Sequence, residues 1–191
     1  MPPKVRFDRE KIISAAFEIV REKGMEALCA RAIAKAAGCS TQPLYHEMGG
    51  MEEIREAVMK RAGQYFEQFV EKQALLSPLP YLGSGLAYLR FAQEEKQLFQ
   101  LLFMRQRSME EQARAGADAT FEFAAGLVAQ NLGYSMEDAR EFHRQSHVFI
   151  HGLAAMLTTG FIAWDEEEII RLLRHQYRAL RLAFETPAEK N

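Results

Sequence analysis

Apolar residues along this chain recur at intervals of three and four, not two, which is the signature of helices. Ile12, Ile13, Ala16, Phe17 and Val20 make one apolar stripe closed by Gly24, predicting a first helix. Asp8 stands at its cap, and Phe7 and Ile12 occupy the two positions of a hydrophobic staple. A short second helix is expected over Ala30–Ala37, ended by Gly38. Ser40 is read as the cap of a third short helix that runs to about His46, where Met48-Gly49-Gly50 breaks it. A much longer helix is expected from near Glu52 to about Ala74, ahead of Pro78 and Pro80. Further helices are expected near 81–94, 95–106, 109–131, 136–163 and 166–184. Ser135 with Asp138 and Asp165 with Glu168 serve as capping pairs, and Gly133 and Gly160 sit near the joins. The sequence has no internal repeat, and its first three residues and the tail after Pro187 are expected to be loose.

Composition agrees with an all-α fold. Val, Ile and Thr total 20 residues, against 27 Ala, 19 Leu and 9 Met, a skew toward helix formers. With 191 residues, 48% of them apolar, the chain can build a core in one large or two small domains. Two cysteines cannot form a disulfide framework, which favours a reducing, cytoplasmic setting. The charged start (Lys4, Arg6, Asp8, Arg9, Glu10, Lys11) lacks the apolar region of a signal peptide. Between Arg144 and Asp165 lie 20 residues without a formal charge, about the length of a membrane span. Gln145, Ser146, His147, His151, Thr158 and Thr159 interrupt it; that many polar groups favour a helix buried in protein over one in lipid, so no membrane partner is expected. The net charge of −2 is unevenly spread: residues 1–46 carry 8 basic and 5 acidic side chains, the rest 16 and 21. A mildly basic head on an acidic body points to the head as the part that would meet a polyanion.

The informative stretch runs from Gly24 to Ile54. Two short helices joined by a tight Gly-containing turn, with a first helix packed across both, describe a helix-turn-helix, or else an ordinary αα-hairpin. Ile33, Ala34 and Ala37 supply the packing face and Leu44 the plug, which leaves Thr41, Gln42, Tyr45 and His46 facing outward. Gln can bond an adenine edge twice, and Thr can offer its methyl to thymine or its hydroxyl to phosphate. Tyr and His can donate to phosphate oxygens, and Arg31, Lys35 and the Lys4/Arg6 arm are placed to neutralise the backbone.

The segment FDREKIISAAFEIVREKGMEALCARAIAKAAGCSTQPLYHEM resembles the DNA-binding head of the TetR family of bacterial transcriptional regulators. The likeness rests on the helix ending at Gly24, on Arg31-Ala32-Ile33-Ala34-Lys35-Ala36-Ala37-Gly38, on Cys39-Ser40, and on Leu44-Tyr45-His46. It covers about a quarter of the chain. The resemblance implies a helix-turn-helix domain over 1–53 and a helical effector-binding and dimerisation domain over 54–191. It implies that Thr41, Gln42 and Pro43 face base edges while Ser40, Tyr45 and His46 hold the phosphate backbone in the major groove, with Arg31 nearby. The chain departs from the family where a Ser or Thr usually caps the second helix (here Cys29), and where an aromatic and then a phosphate-binding Lys usually follow (here Met48 and Met51). Those departures motivate a rival reading, a helical dimeric ligand or partner sensor that has lost DNA binding.

The body is rich in Phe, Met and Leu at helical spacing. Phe66, Phe69, Leu89, Phe103, Phe121, His147 and Phe149 are candidates for lining a ligand cavity, although ordinary core packing accounts for most such residues. The stretches RFAQEEKQLFQLLF and FIHGLAAML resemble pieces of the effector domain of a TetR subgroup with a Trp-His-Gly signature; His151-Gly152 matches it, and His147 holds the place of the Trp. His143, His147 and His151 share one helical face. They fit either part of a metal site, which would need a further donor, or a polar seam of neutral imidazoles between helices. The last two helices offer a candidate dimer surface of His151, Ala154, Ala155, Thr158, Leu173, Tyr177 and Leu180; the other reading is that this row faces the chain's own core. In TetR-like proteins the final helix pair joins its symmetry mate in a four-helix bundle, so the resemblance implies a homodimer on a pseudo-palindromic double-stranded DNA operator, released by a small-molecule effector. No nucleophile elbow, phosphate-cradling glycine loop or metal-protease motif is present, so neither an enzyme nor a cofactor is expected.

Overall fold

A computed structural model describes residues 9–109 and 119–185, apart from the side chain of Pro43. The cap and staple at Asp8 and Phe7, the Lys4/Arg6 arm, residues 110–118 of the helix expected from 109 and the final tail lie outside the described residues. Every regular element among those described is helical: α1 Arg9–Lys23, a 3-10 turn Met25–Ala27, α2 Ala30–Ala37, α3 Gln42–Met48, α4 Met51–Leu76, α5 Pro80–Glu94, α6 Lys96–Phe103, α7 Ala119–Leu132, α8 Met136–Thr158 and α9 Glu166–Glu185. The all-α expectation therefore holds. The chain divides into two compact units, one of Met1–Phe66 with Glu95–Arg105, the other of Glu67–Glu94 with Gln106–Asn191.

In the first unit, Ile12, Ala16, Phe17 and Val20 are buried as the stripe requires, and α1 packs on α2, α3 and α6. Ile33 and Ala34 supply the buried face of α2, while Leu98 and Phe99 bury α6. The short helix α6 begins at Lys96 rather than 95, because Glu95 sits outside helical geometry (φ −114°, ψ 49°). It ends at Phe103, three residues before the expected limit.

In the second unit, α8 is the central element, packed on α5, α7 and α9. The Ser135 hydroxyl accepts from the Asp138 N–H at 3.1 Å, and the Asp165 carboxylate accepts from the Glu168 N–H at 2.8 Å, so both capping pairs do their expected job. The helix expected over 136–163 stops at Thr158. Gly160 takes a left-handed conformation (φ 73°) and Phe161 N–H turns back to the Met156 carbonyl at 2.9 Å, a glycine stop that apolar periodicity alone runs through. Among the described residues no helix is long and apolar enough to cross a membrane.

Gly38 ends α2 at φ 69°, ψ 35°, and nothing lies within 4 Å of where a Cβ would sit. The cost of a side chain there is conformational, not steric. Gly38→Ala should lower stability in urea unfolding by about 1 kcal/mol, and Gly38→Asn by less.

Candidate functional site

The helix α3 is built to be presented. Its first residue follows Thr41, which has near-helical angles (φ −75°, ψ −15°) and makes no side-chain capping bond. The cap expected at Ser40 is therefore one residue displaced, and Ser40 is exposed in the turn. Leu44 and Met48, one helical turn apart, are 1% and 0% exposed and hold α3 to the unit's core. Gln42, Tyr45 and His46 point outward on the remaining arc, with Tyr45 58% exposed; Thr41 is half-buried. Arg31 and Lys35, one turn apart on α2, are also exposed. The His46 ring meets the Glu47 carboxylate at 3.0 Å, so an acidic group borders the same edge. Pro43 lies in the first turn of α3.

Each departure from the family pattern has a visible consequence. Cys29 occupies the N-cap of α2 and makes no side-chain capping bond there. Met48 is fully buried core, and Met51, half-buried, opens α4. On α1 and α4, Arg9 is paired with Glu53 at 2.6 Å, Arg55 with Glu52 at 3.5 Å, and Arg61 with Glu10.

Of the residues proposed to line a cavity, Phe66 and Phe103 belong to the first unit, where their rings meet edge to face at 4.9 Å. The others belong to the second. Phe69 packs on Phe91 at 5.5 Å, Leu89 is buried, and Phe149 is half-buried. Phe121 lies 4.7 Å from the His143 ring, and His147 meets Tyr88 edge-on at 5.3 Å.

These last two contacts belong to a seam between α5 and α8 that the sequence indicated only from one side. His143, His147 and His151 follow one another along α8 with ring centroids 5.9 and 6.2 Å apart. Facing them from α5 are Tyr81 and Tyr88, seven residues apart and therefore on one helical face. The Tyr81 hydroxyl lies 3.2 Å from His143 Nδ1, and the Tyr88 hydroxyl 2.9 Å from His151 Nδ1. Burial raises the Tyr81 phenol above its ordinary range. Burial and the adjacent His147 push His143 down to about 3, while burial and Arg107 lower His151. The Tyr81–His143 contact is therefore a hydrogen bond between uncharged groups. Of the two readings of this histidine face, the hydrogen-bonded seam is the one observed, and no cluster able to hold a metal occurs among the described residues.

The candidate dimer residues divide. Ala154 and Leu173 are buried by their own chain. His151 bonds Tyr88, Thr158 donates to the Ala92 carbonyl at 3.2 Å, Tyr177 packs on Phe142 at 5.6 Å, and Leu180 joins the Val128–Ala139–Phe142 cluster. Ala155 is half-buried. Gly152, which the sequence groups with Ala154 and Ala155 as a point of close approach, is exposed on the outward side of α8 beside Val148, 70% exposed and not singled out by periodicity.

A bundle of helices whose first unit presents a short exposed helix across a glycine turn is the architecture of helix-turn-helix regulators. Sequence comparison places it further. The pattern of bacterial regulatory proteins of the tetR family matches residues 12–58, and that of the tetracyclin repressor-like C-terminal domain matches residues 82–180, more than half of the chain. The protein belongs to the TetR family, whose members are transcriptional regulators. No curated protein matches the sequence. Among solved structures, a TetR-family transcriptional regulator from Vibrio parahaemolyticus is 19% identical, with 90% of this chain and 97% of that one covered and a TM-score of 0.60. A TetR-like regulator from Rhodococcus sp. RHA1 is 19% identical over 93% and 96%, with a TM-score of 0.63. SmeT, the repressor of the Stenotrophomonas maltophilia multidrug efflux pump SmeDEF, is 22% identical over 93% and 90%, with a TM-score of 0.55. At these identities the likeness is one of fold.

The lowered His143 has a consequence for stability. Unfolded, this imidazole binds a proton below about 6.5; folded, it resists protonation down to about 3. Between those values the unfolded chain holds more protons, so the stabilisation is complete above pH 6.5 and declines as the pH falls through that window. His143→Gln keeps an acceptor for Tyr81 but cannot titrate. It should move the acid-unfolding midpoint, followed by circular dichroism, down by about half a pH unit.

Proposed function

We propose that this protein is a homodimeric, ligand-responsive DNA-binding regulator, a repressor released from its operator by a small molecule. The observation that carries the reading is α3: Leu44 and Met48 anchor it while Gln42, Tyr45 and His46 are exposed on the opposite arc. Thr41, Gln42 and Pro43 read base edges, and Ser40, Tyr45, His46 and Arg31 hold phosphates. Two such helices, supplied by a twofold pair, address half-sites about one helical turn apart on a pseudo-palindrome. The operator is sought in the DNA flanking the coding region. The setting proposed is the cytoplasm.

The effector is proposed to bind the second unit near Phe69, Leu89, Phe121, His147 and Phe149. The seam favours an uncharged molecule with aromatic character, because burial holds Tyr81, His143 and His151 in their neutral forms and a charged group would lose its hydration for little return. Such a ligand acts only if it binds the operator-incompetent form more tightly; equal affinity for both forms shifts nothing. A rival, a dimeric sensor that has lost DNA binding, draws on Cys29, Met48 and Met51. The burial of Met48 weakens that rival, since this residue is engaged in holding α3 in place.

Anisotropy titration against duplexes from the flanking region tests the main reading. Gln42→Ala should cost about 1–3 kcal/mol on the bound sequence and relax discrimination at one base pair. Met51→Lys should strengthen binding across all sequences and steepen the dependence of log K on log salt by about one. If the wild type shows no salt-sensitive, sequence-dependent binding while Met51→Lys with Cys29→Thr restores it, the sensor reading wins.

Pairing through the outward sides of α8 and α9 supplies the dimer. Sedimentation should report twice 21.8 kDa. Val148→Glu, which places a charge on that surface, should shift the mass toward the monomer with the helical spectrum retained.

A further inference from the structure

We propose that Glu95 is a positioning residue for the DNA-reading helices. Its carboxylate ties α1, against which α2 and α3 are set, to α4 and to the start of α6. The inference rests on the reading of the first unit as DNA-reading.

Among the described residues Glu95 is the only buried Asp, Glu, Lys or Arg, its side chain 9% exposed. It precedes α6 yet makes no capping bond there. Its side chain instead turns to two partners distant in sequence. Arg21 Nε donates to Oε2 at 2.8 Å, and Arg21 Nη2 also donates to Oε1. The Tyr65 hydroxyl donates to Oε1 at 3.0 Å and accepts from Arg21 Nη2 at 3.2 Å. The guanidinium lies 5.2 Å from the Tyr65 ring centroid, and Tyr65 meets Phe17 of α1 edge-on at 5.7 Å. Residues 21, 65 and 95 thus form a closed triangle of hydrogen bonds that joins α1, α4 and the start of α6 within one unit.

Two features argue that this triangle directs the helices as well as holding them. A part-buried ion pair, with the Arg21 side chain 36% and that of Glu95 9% exposed, contributes little net adhesion that well-packed apolar side chains would not. What it adds is direction, because a two-pronged guanidinium–carboxylate contact with a phenol on one oxygen tolerates one mutual orientation. The second feature is location. Arg21 is in the last turn of α1, the helix that packs on α2, α3 and the 3-10 turn. Glu95 is the residue at which the chain, after 28 residues assigned to the second unit (Glu67–Glu94), returns to the first. The unit that presents α3 is completed by a segment arriving from elsewhere in the chain, and Glu95 is its first point of attachment.

The test uses the full-length protein with Glu95→Gln and Tyr65→Phe, measured below the unfolding range of each. The first readout is amide hydrogen exchange, which follows local opening. The second is affinity for a duplex selected from a random-sequence pool by the wild type, set against an unselected duplex. A positioning role predicts that Glu95→Gln speeds exchange in α2 and α3 at least about tenfold while α7–α9 are unchanged. It also predicts about a tenfold loss on the selected duplex, with the unselected one within about twofold. Tyr65→Phe, which removes one hydroxyl, should show the same pattern at about two- to fivefold; it decides the matter if Glu95→Gln does not fold. Unchanged exchange in α2 and α3 in the folded variants overturns the proposal. So does a uniform rise across the first unit with equal losses on both duplexes, which is the mark of adhesion alone. If the wild type selects no duplex, DNA reading fails, and the exchange pattern alone still accepts or rejects the role of Glu95.

Discussion

A helix of seven residues cannot hold its own shape in water, because nucleation costs more than so few hydrogen bonds return. Everything about α3 follows from that constraint. It has no side-chain cap, so its place is set by Leu44 and Met48, sunk into the unit's core, and by the glycine turn that brings it off α2. Side chains on the opposite arc can then be polar or aromatic without loss of fold, since they contribute nothing to it. Met48 illustrates the economy of the arrangement. As a flexible, unbranched side chain it fits an irregular gap, so a position that departs from the family's aromatic still does anchoring work.

The second unit obeys a different rule: polar atoms placed between packed helices must find one another. Tyrosines seven apart on α5 and histidines four apart on α8 both fall on a single helical face, so the two sets meet along a seam. Burial holds the Tyr81 phenol protonated and the His143 imidazole unprotonated. The bond between them therefore joins two uncharged groups at neutral pH. A wall of this kind is hydrogen-bonding yet uncharged, which is why the proposed effector is an uncharged one.

Much of the fold was legible in the sequence because punctuation and period agreed. Gly38 marked the end of α2, read at roughly Ala30 to Ala37 and found there, and the capping pairs at Ser135 and Asp165 located two helix starts. Where punctuation and period conflicted, the period misled: the apolar run through Ile162 hid the stop at Gly160. Partnership was less legible than placement. Periodicity says which residues face inward but not against what, so Ala154 and Leu173 read as a dimer surface although their own chain buries them. Tyr81 and Tyr88 could have been found by asking what stood opposite the histidines. Nothing local marks Arg21 and Glu95 as partners, since 74 positions separate them and each resembles any other surface charge.

The electrostatics of the first unit bear on what kind of binding α3 can support. Arg9, Arg55 and Arg61 are engaged with carboxylates, and Glu47 stands beside His46. Among the described residues, Arg31 and Lys35 are the exposed cations on α2, and the phosphate-binding Lys of the family is replaced by Met51. Under the proposed function, α2 and α3 themselves bring few cations to the phosphates. On the proposed reading, the operator is then distinguished less by charge than by the contacts of Gln42 and its neighbours with base edges. Contacts of that kind depend on angle and distance far more than a diffuse charge does. That places the functional weight on how rigidly α3 is held, and through α1 on the residues that fix that helix in turn.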